Sequence, residues 1–337
     1  MQASITEQTP LPSWRDWYSP RQIYLESNAT CNLKCLQCDI HLLKNPPGEI
    51  SHARRIELIR EIAAWDPRIR LAFSGGEPFL RRRELYELAG LCAASGLQLG
   101  INTNGTLFKK EDFAKIPHSG ITALTFSMDS WRAEVHDRIR GVAGTFERLL
   151  KAIRGSVEAI REAGQGPAVF LTSILGGHNL GDCEGLFSLC EKVGAKALMF
   201  QPLQPNFEAE VQPDWWQDHP LWPQSPEQVN EGIDQLLSLK SAGAPTFQKR
   251  KDFEAMRRYF LERGKVKPGG CLSMQNNLMV DALGEAHFCF SQERLGLKSL
   301  GNIGERSIRE IWESSRGLRR QYQACHLECG SMLCHSR

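Results

Sequence analysis

The sequence predicts an α/β fold built on parallel strands, and three observations carry that prediction. Six short apolar or β-branched runs recur between residues 22 and 201: Gln22–Leu25, Ile69–Phe73, Leu97–Ile101, Thr122–Phe126, Val169–Ile174 and Ala197–Phe200. Amphipathic stretches with helical spacing separate them. The alternation stops near Gln201, where six Pro between residues 202 and 226 break any regular element. Strands that alternate with helices pair in parallel through crossovers. The pattern fits an open sheet or a barrel, complete or partial.

Each element has a local reason. Ser51 is an N-cap ahead of Ile56, Ile59 and Ala63, which share one helical face. Glu84–Ala94 is a second helix. Phe146, Leu149, Leu150 and Ile153 mark a third, and Leu186, Leu189 and Val193 a fourth. Beyond Gln201, Trp215, Trp216 and Trp222 line a pocket or fasten a linker to the main body. A polar helix is expected over Glu227–Leu239 and another over Lys251–Arg263, and the KVKPG segment at 265–269 is a turn. Residues 271–290 read as a hairpin: apolar Leu278, Met279 and Val280, a turn at Asp281–Gly284, then His287–Phe290. Ile308–Trp312 is a short helix. The expected domains are residues 1–201, a linker or cap over 202–268, and a small C-terminal unit over 269–337.

Length and charge narrow the function. The 337 residues are 41% hydrophobic and 24% charged, enough for a real core. Lys and Arg number 41 against 39 Asp and Glu, so a net +2 gives no electrostatic footprint for nucleic acid or an anionic membrane. No apolar run reaches the length of a membrane span, and the N-terminus lacks a secretory pattern. A cytoplasmic protein is expected.

The 11 cysteines are unevenly placed, which in a cytoplasmic chain points to metal or redox chemistry rather than disulfides. Cys31, Cys35 and Cys38 form a C-x3-C-x2-C group after the first strand. Three thiolates can leave one coordination position open, as in a four-iron cluster with one free iron. With His41 as fourth ligand they would instead make a closed zinc site. Cys271, Cys289, Cys325, Cys329 and Cys334 form a late group, and Cys92 and Cys190 lie on apolar helix faces.

With Ser74-Gly75-Gly76-Glu77-Pro78 closing the second strand, Asn102-Thr103-Asn104-Gly105-Thr106 the third and Ser127-Met128-Asp129 the fourth, the cysteine group is similar to the signature of the radical SAM enzymes. The resemblance covers roughly residues 20–201. It implies a partial (β/α)6, TIM-like barrel whose strand ends converge on one site. Cys31, Cys35 and Cys38 would hold a [4Fe-4S] cluster, and its open iron would chelate S-adenosylmethionine. One electron, from a donor such as flavodoxin or ferredoxin, would then release a 5′-deoxyadenosyl radical. Gly75 and Gly76 would let backbone carbonyls approach the methionine ammonium, with Glu77 beside that charge. Asn104, Ser127, Asp129, Arg138 and Gln201 complete the expected cofactor-binding set. The family often carries an aromatic residue before the third cysteine. Here it is Gln37, so Phe200 or Gln201 is expected to help pack the adenine.

The late cysteines, with Leu300–Ile303 and Ile308–Trp312 between them, look like the auxiliary-cluster region of the SPASM and Twitch subgroups. Five cysteines suit one auxiliary [4Fe-4S] cluster, with Cys271, Cys289 and two of Cys325, Cys329 and Cys334 as ligands. A zinc ribbon is the alternative. Cys183, near the end of the fifth strand, is either a hydrogen donor to a substrate radical or a packing residue. Arg81–Arg83 read as a solvated helix start, and His136 and His178 as substrate contacts or structural groups. The expected substrate is a small polar metabolite: a sugar, aminocyclitol or nucleoside, oxidised, epimerised or otherwise functionalised at a C–H bond. The alternative is epimerisation or crosslinking of a ribosomal precursor peptide. Only thirty residues precede Cys31, which favours the small molecule.

Overall fold

The computed structural model describes residues 18–42, 48–205, 214–262, 273–289, 292 and 297–321. Six parallel strands follow the predicted order: β1 (Gln22–Glu26), β2 (Arg70–Ser74), β3 (Gln98–Thr103), β4 (Ala123–Ser127), β5 (Ala168–Leu175) and β6 (Leu198–Pro202). Between them run α1 (His52–Trp65), α2 (Arg82–Ala94), α3 (Lys110–Lys115), α4 (Ala133–Arg140), α5 (Thr145–Ala163) and α6 (Cys183–Lys192). Beyond β6 lie α7 (Pro226–Ser241), α8 (Arg250–Leu261), α9 (Ser273–Asn276), β7 (Asn277–Val280), β8 (Ala286–His287), α10 (Ile308–Ser314) and α11 (Arg316–Gln321). Ser51 caps α1 as expected, its hydroxyl accepting from the Arg54 amide. The sequence reading lacks α3 and α4, which are short, charged and without an apolar stripe long enough to see.

The strands form a partial barrel in the order β6-β5-β4-β3-β2-β1-β7-β8. The predicted hairpin is present, but its first strand does not stand apart. It pairs in parallel with β1, Gln22 opposite Asn277 and Leu25 opposite Val280, so the C-terminal region extends the barrel sheet. A pairing between segments some 250 residues apart leaves no local trace in sequence.

Alternation along the strands decides what the barrel encloses. One row, including Leu25, Phe73, Ile101 and Leu124, is buried against Leu58, Ile62, Leu85, Leu88 and Leu149 of the surrounding helices. The opposite row is half-buried on every strand from β1 to β6. One level of it is small: Ala72, Gly100, Ala123 and Ala168 stand side by side, the last two at the starts of their strands. The inner face therefore bounds an open lumen rather than a filled core.

Both flanks are tied down. Arg54 Nε donates to the Ile303 carbonyl at 2.7 Å, and the Ile308 amide to Glu61 at 3.1 Å, fixing the C-terminal segment to α1. Trp312 adds an aromatic contact to Trp65 at 6.4 Å. At the other side β6 is an edge strand. Gln248 covers it: the Phe200 amide donates to Gln248 Oε1 at 2.7 Å, and Gln248 Nε2 donates to the Phe200 carbonyl at 2.9 Å. The Leu198 amide donates to the Pro245 carbonyl at 2.8 Å. One side chain thus does for the edge what a further strand would do. Among the described residues no helix is long and apolar enough to cross a membrane.

Replacing Gln248 by Ala leaves a buried N–H and C=O of Phe200 unpaired and should cost about 1–3 kcal/mol. The urea unfolding midpoint of the cluster-loaded protein should fall accordingly. An unchanged midpoint would show that the edge is satisfied in another way.

Candidate active site

The three early cysteines sit on a loop with only a single 3-10 turn after it, so its shape comes from its neighbours. Asn28 starts it. This fully buried side chain accepts from the Thr30 amide at 2.9 Å and donates to the Glu77 carbonyl at 3.0 Å. Such an Asx turn is what Asn favours where a chain leaves a strand. The Gly76 amide returns a bond to the Asn28 carbonyl at 2.9 Å. A Cβ on Gly76 would lie 1.8 Å from the Thr30 carbonyl oxygen, so no larger residue fits there. Gly75 has φ +88, and a Cβ there would meet Glu26 Cβ at 2.8 Å. Within the protein, the two glycines allow the β2 exit to lie against the β1 exit.

From the other side α4 grips the loop. The Lys34 amide donates to the Arg140 carbonyl at 3.1 Å, and the Leu36 amide to Ile139 at 2.8 Å. Gly141 ends α4 in the left-handed region at φ +69, and an added Cβ would strike the Lys34 carbonyl at 2.1 Å. Asn104 supports the loop from β3: its Nδ2 donates to Asn32 Oδ1 at 3.0 Å and lies 3.8 Å from Cys31 Sγ. Its Oδ1 accepts from the Thr106 amide at 2.9 Å. The structure thus turns Asn104 toward the cysteine loop, a contact the sequence reading did not foresee.

Two buried carboxylates anchor the ring of strand ends. Glu77 accepts from Thr103 Oγ1 at 2.7 Å, the Phe79 amide at 3.1 Å and the Asn104 amide at 2.8 Å. Burial pushes its carboxyl above the usual range, against those hydrogen bonds. Asp129 is fully buried; it accepts from the Ile174 amide at 3.0 Å, Gln37 Nε2 at 2.9 Å and Arg140 Nη2 at 2.8 Å. Burial alone would raise Asp129, but Arg140, His178 and His136 hold it below its ordinary value. Arg140 also places Nη1 3.9 Å from Cys35 Sγ. Burial pushes the Cys31, Cys35 and Cys38 thiols up, Cys38 to about 12, with repulsion from Cys35 and Cys31 adding to the last. Ligand binding must therefore displace protons from these sulfurs.

Several expected positions lie elsewhere. Arg138 is exposed, and Arg140 is the guanidinium that reaches the cysteine loop. Phe200 faces the helix layer, against Phe187 and Phe253, and so cannot pack a nucleotide in the lumen. Cys183 is fully buried at the start of α6, its thiol donating to the Asn179 carbonyl at 3.2 Å. Burial raises that thiol, and the packing corrects the hydrogen-donor expectation. Cys92 and Cys190 are core, as expected. Ser127 and Gln201 stand in the half-buried inner row of β4 and β6. Gln37, in the aromatic position, keeps a buried Oε1 without a hydrogen-bond partner. Trp215, Trp216 and Trp222 cluster with Tyr259 and Phe260, which fastens their segment to α8.

Three thiolates on one loop are the donor set of a four-iron cluster with one iron left open. Among the described residues no three His, Cys, Asp or Glu side chains, His41 included, converge on a single-metal site. Cysteines that each ligate a different iron need not converge. Of the late group, Cys289 follows β8 and is half-buried. Cys271, Cys325, Cys329 and Cys334 lie outside the described residues, as does the 265–269 turn.

His136 and His178 flank Asp129. His136 Nδ1 accepts from the Asp129 amide at 3.4 Å, and His178 lies against the Ile174 backbone. Burial lowers both to about 4 from an ordinary 6.5. The unfolded chain thus binds more protons than the folded one between these values, and stability falls as pH drops through that window. Acid unfolding followed by tryptophan fluorescence should show this loss. A His136→Gln variant should lose less across the same window, and equal acid lability would remove His136 from the account.

Comparison with known proteins agrees with this geometry. Residues 25–190 match the Radical SAM superfamily and residues 271–331 an iron-sulfur cluster-binding domain, SPASM. The AdoMet-dependent heme synthase of Methanosarcina barkeri is 30% identical over 90% of this chain and 84% of its own length. The mycofactocin maturase MftC of Mycobacterium ulcerans is 28% identical over 60% of this chain and 52% of its own. Native anSMEcpe with bound AdoMet superposes with a TM-score of 0.67 at 17% identity, covering 91% of this chain and 83% of that one. Streptococcus suis SuiB bound to S-adenosylmethionine gives 0.66 at 14%, covering 89% and 68%. At such identities the two structures speak for the fold alone. The cofactors are accordingly S-adenosylmethionine, a [4Fe-4S] cluster and an auxiliary Fe–S cluster. Because the two family matches fall on the two cysteine-bearing regions, and a relative extends the likeness along nine-tenths of the chain, this protein belongs to the radical SAM superfamily, as an enzyme with a SPASM-type auxiliary domain.

Proposed function

We propose that this enzyme is a maturase that oxidises a carbon centre in a peptide substrate, with Cys31, Cys35 and Cys38 as the ligands of the radical-generating cluster. The observation that carries the peptide reading is a set of exposed apolar side chains on the segments that follow β1 and β4. Leu36 on the cysteine loop is 39% exposed, Leu42 beyond it 67%, and Trp131, two residues past Asp129, 41%. Exposed apolar side chains beside the cysteine loop suit an extended chain laid across them. The likeness to mycofactocin maturases supports it. A sugar or nucleoside would leave these apolar side chains uncovered.

When bound, the cluster and S-adenosylmethionine together supply a 5′-deoxyadenosyl radical that removes a hydrogen atom from substrate carbon. The chain's residues prepare the site. Ser127 and Gln201 line the lumen where the nucleoside would lie. We infer oxidation rather than epimerisation with Cys183 as hydrogen donor, since that thiol is locked into the core. An oxidation removes a second electron and a proton from the substrate, and an auxiliary cluster held by the C-terminal cysteines would supply an electron acceptor. Flavodoxin or ferredoxin is the class of donor that would start the cycle. A second reading, a heme-forming activity, is favoured by the longer likeness to heme synthases.

The test is anaerobic incubation with S-adenosylmethionine, reductant and either a side-chain-deuterated candidate precursor peptide or a deuterated iron porphyrin. Deuterium should pass from the peptide into 5′-deoxyadenosine, and the product should be two hydrogens lighter without solvent deuterium. Label from the porphyrin alone would overturn the peptide reading, and solvent deuterium in the product would overturn the oxidation. Replacing Cys31, Cys35 and Cys38 together by Ala should abolish 5′-deoxyadenosine altogether.

A further inference from the structure

Arg140 makes a contact that loop anchoring alone does not require. Its backbone carbonyl already holds the Lys34 amide at 3.1 Å. Its side chain divides, with Nη2 on Asp129 Oδ2 at 2.8 Å and Nη1 3.9 Å from Cys35 Sγ. The side chain is only 10% exposed and Asp129 not at all, so water screens neither charge well. Gln37 shares the same Asp129 oxygen at 2.9 Å, drawing some of the carboxylate's negative charge away from the guanidinium. Asn104 Nδ2 approaches Cys31 Sγ at 3.8 Å as a neutral counterpart. Hydrogen bonds to cluster sulfurs and net local charge are among the factors that set iron–sulfur reduction potentials.

We infer that Arg140 is a positioning residue that sets the reduction potential of the radical-generating cluster, with Asp129 as the counter-charge that limits its effect. The inference rests on Cys35 being a ligand, as proposed above. Reduction adds one electron, delivered by a low-potential one-electron donor, and no proton or bond change accompanies it. A cation against a ligand sulfur stabilises the more negative, reduced state. Removing it makes reduction harder; removing the Asp129 charge makes it easier.

The experiment is an EPR-monitored redox titration of the reconstituted holoenzyme. The spectrum that changes on adding S-adenosylmethionine identifies the cluster with the open iron and separates it from the auxiliary one. Arg140→Gln should assemble a full iron complement and be about tenfold harder to reduce at a fixed donor potential, a fall of about 59 mV for a one-electron couple. Arg140→Lys, which keeps the charge but loses the planar fork, should fall less. Asp129→Asn should move the other way. If the unpaired Asp129 prevents Arg140→Gln from folding, Arg140→Lys and Asp129→Asn still carry the test through their opposite signs. Wild-type potentials in the variants, or shifts of one sign in both Arg140→Lys and Asp129→Asn, would overturn the inference. Failure of the ligand assignment looks different: the S-adenosylmethionine-sensitive signal would then survive in Cys35→Ala.

Discussion

A loop without a helix or strand of its own cannot hold three sulfurs in place unless other elements press on it, and here the pressure comes through Arg140. Its carbonyl and that of Ile139 fix the loop backbone between Lys34 and Leu36, while its guanidinium ties Cys35 to Asp129. Asp129 in turn takes the Ile174 amide, so one ion pair connects the cysteine loop, α4 and the ends of β4 and β5. Removing one partner of such a pair would leave a buried charge uncompensated, typically about 3–5 kcal/mol. The cysteine positions therefore depend on residues about one hundred positions downstream. Glu77 makes the matching connection between β2, β3 and the loop start through Thr103, Asn104 and Asn28.

The two halves of the strand alternation serve different ends. The buried row fastens the sheet to its helices and provides the stiffness that these contacts need. The half-buried row leaves room, because Ala72, Gly100, Ala123 and Ala168 fill little of the interior. A filled barrel would be more stable per residue but would have no place for a nucleotide and a substrate. The open edges that a partial barrel leaves are covered instead by Gln248 on one side and by β7 on the other.

What the sequence made legible follows from range. The six strands, the Ser51 cap and the Cys31, Cys35 and Cys38 spacing are local patterns, and each appears within a residue or two of its expected place. Arg140 was missed in favour of Arg138 because α4 shows no apolar stripe, so nothing in the sequence said which of its basic residues faced inward. Cys183 and Phe200 misled for a related reason. Proximity to a strand end is readable, but which side of the sheet a residue occupies depends on register, and both lie on the helix side. The pairing of β7 with β1 had no local signal at all.

The polar groups that the family motifs supply are largely occupied before any ligand arrives. Both oxygens of Glu77 and both of Asp129 accept hydrogen bonds from the protein. A carboxylate kept free for a ligand would sit buried and unpaired in the empty enzyme, at a cost the fold would have to absorb elsewhere. Satisfying these groups internally moves that cost out of the binding step. Beside this frame Ser127 and Gln201 stand in the half-buried inner row of β4 and β6. The charged motif residues act as the frame of the site. A frame whose polar groups the protein satisfies itself keeps its geometry before any ligand completes it.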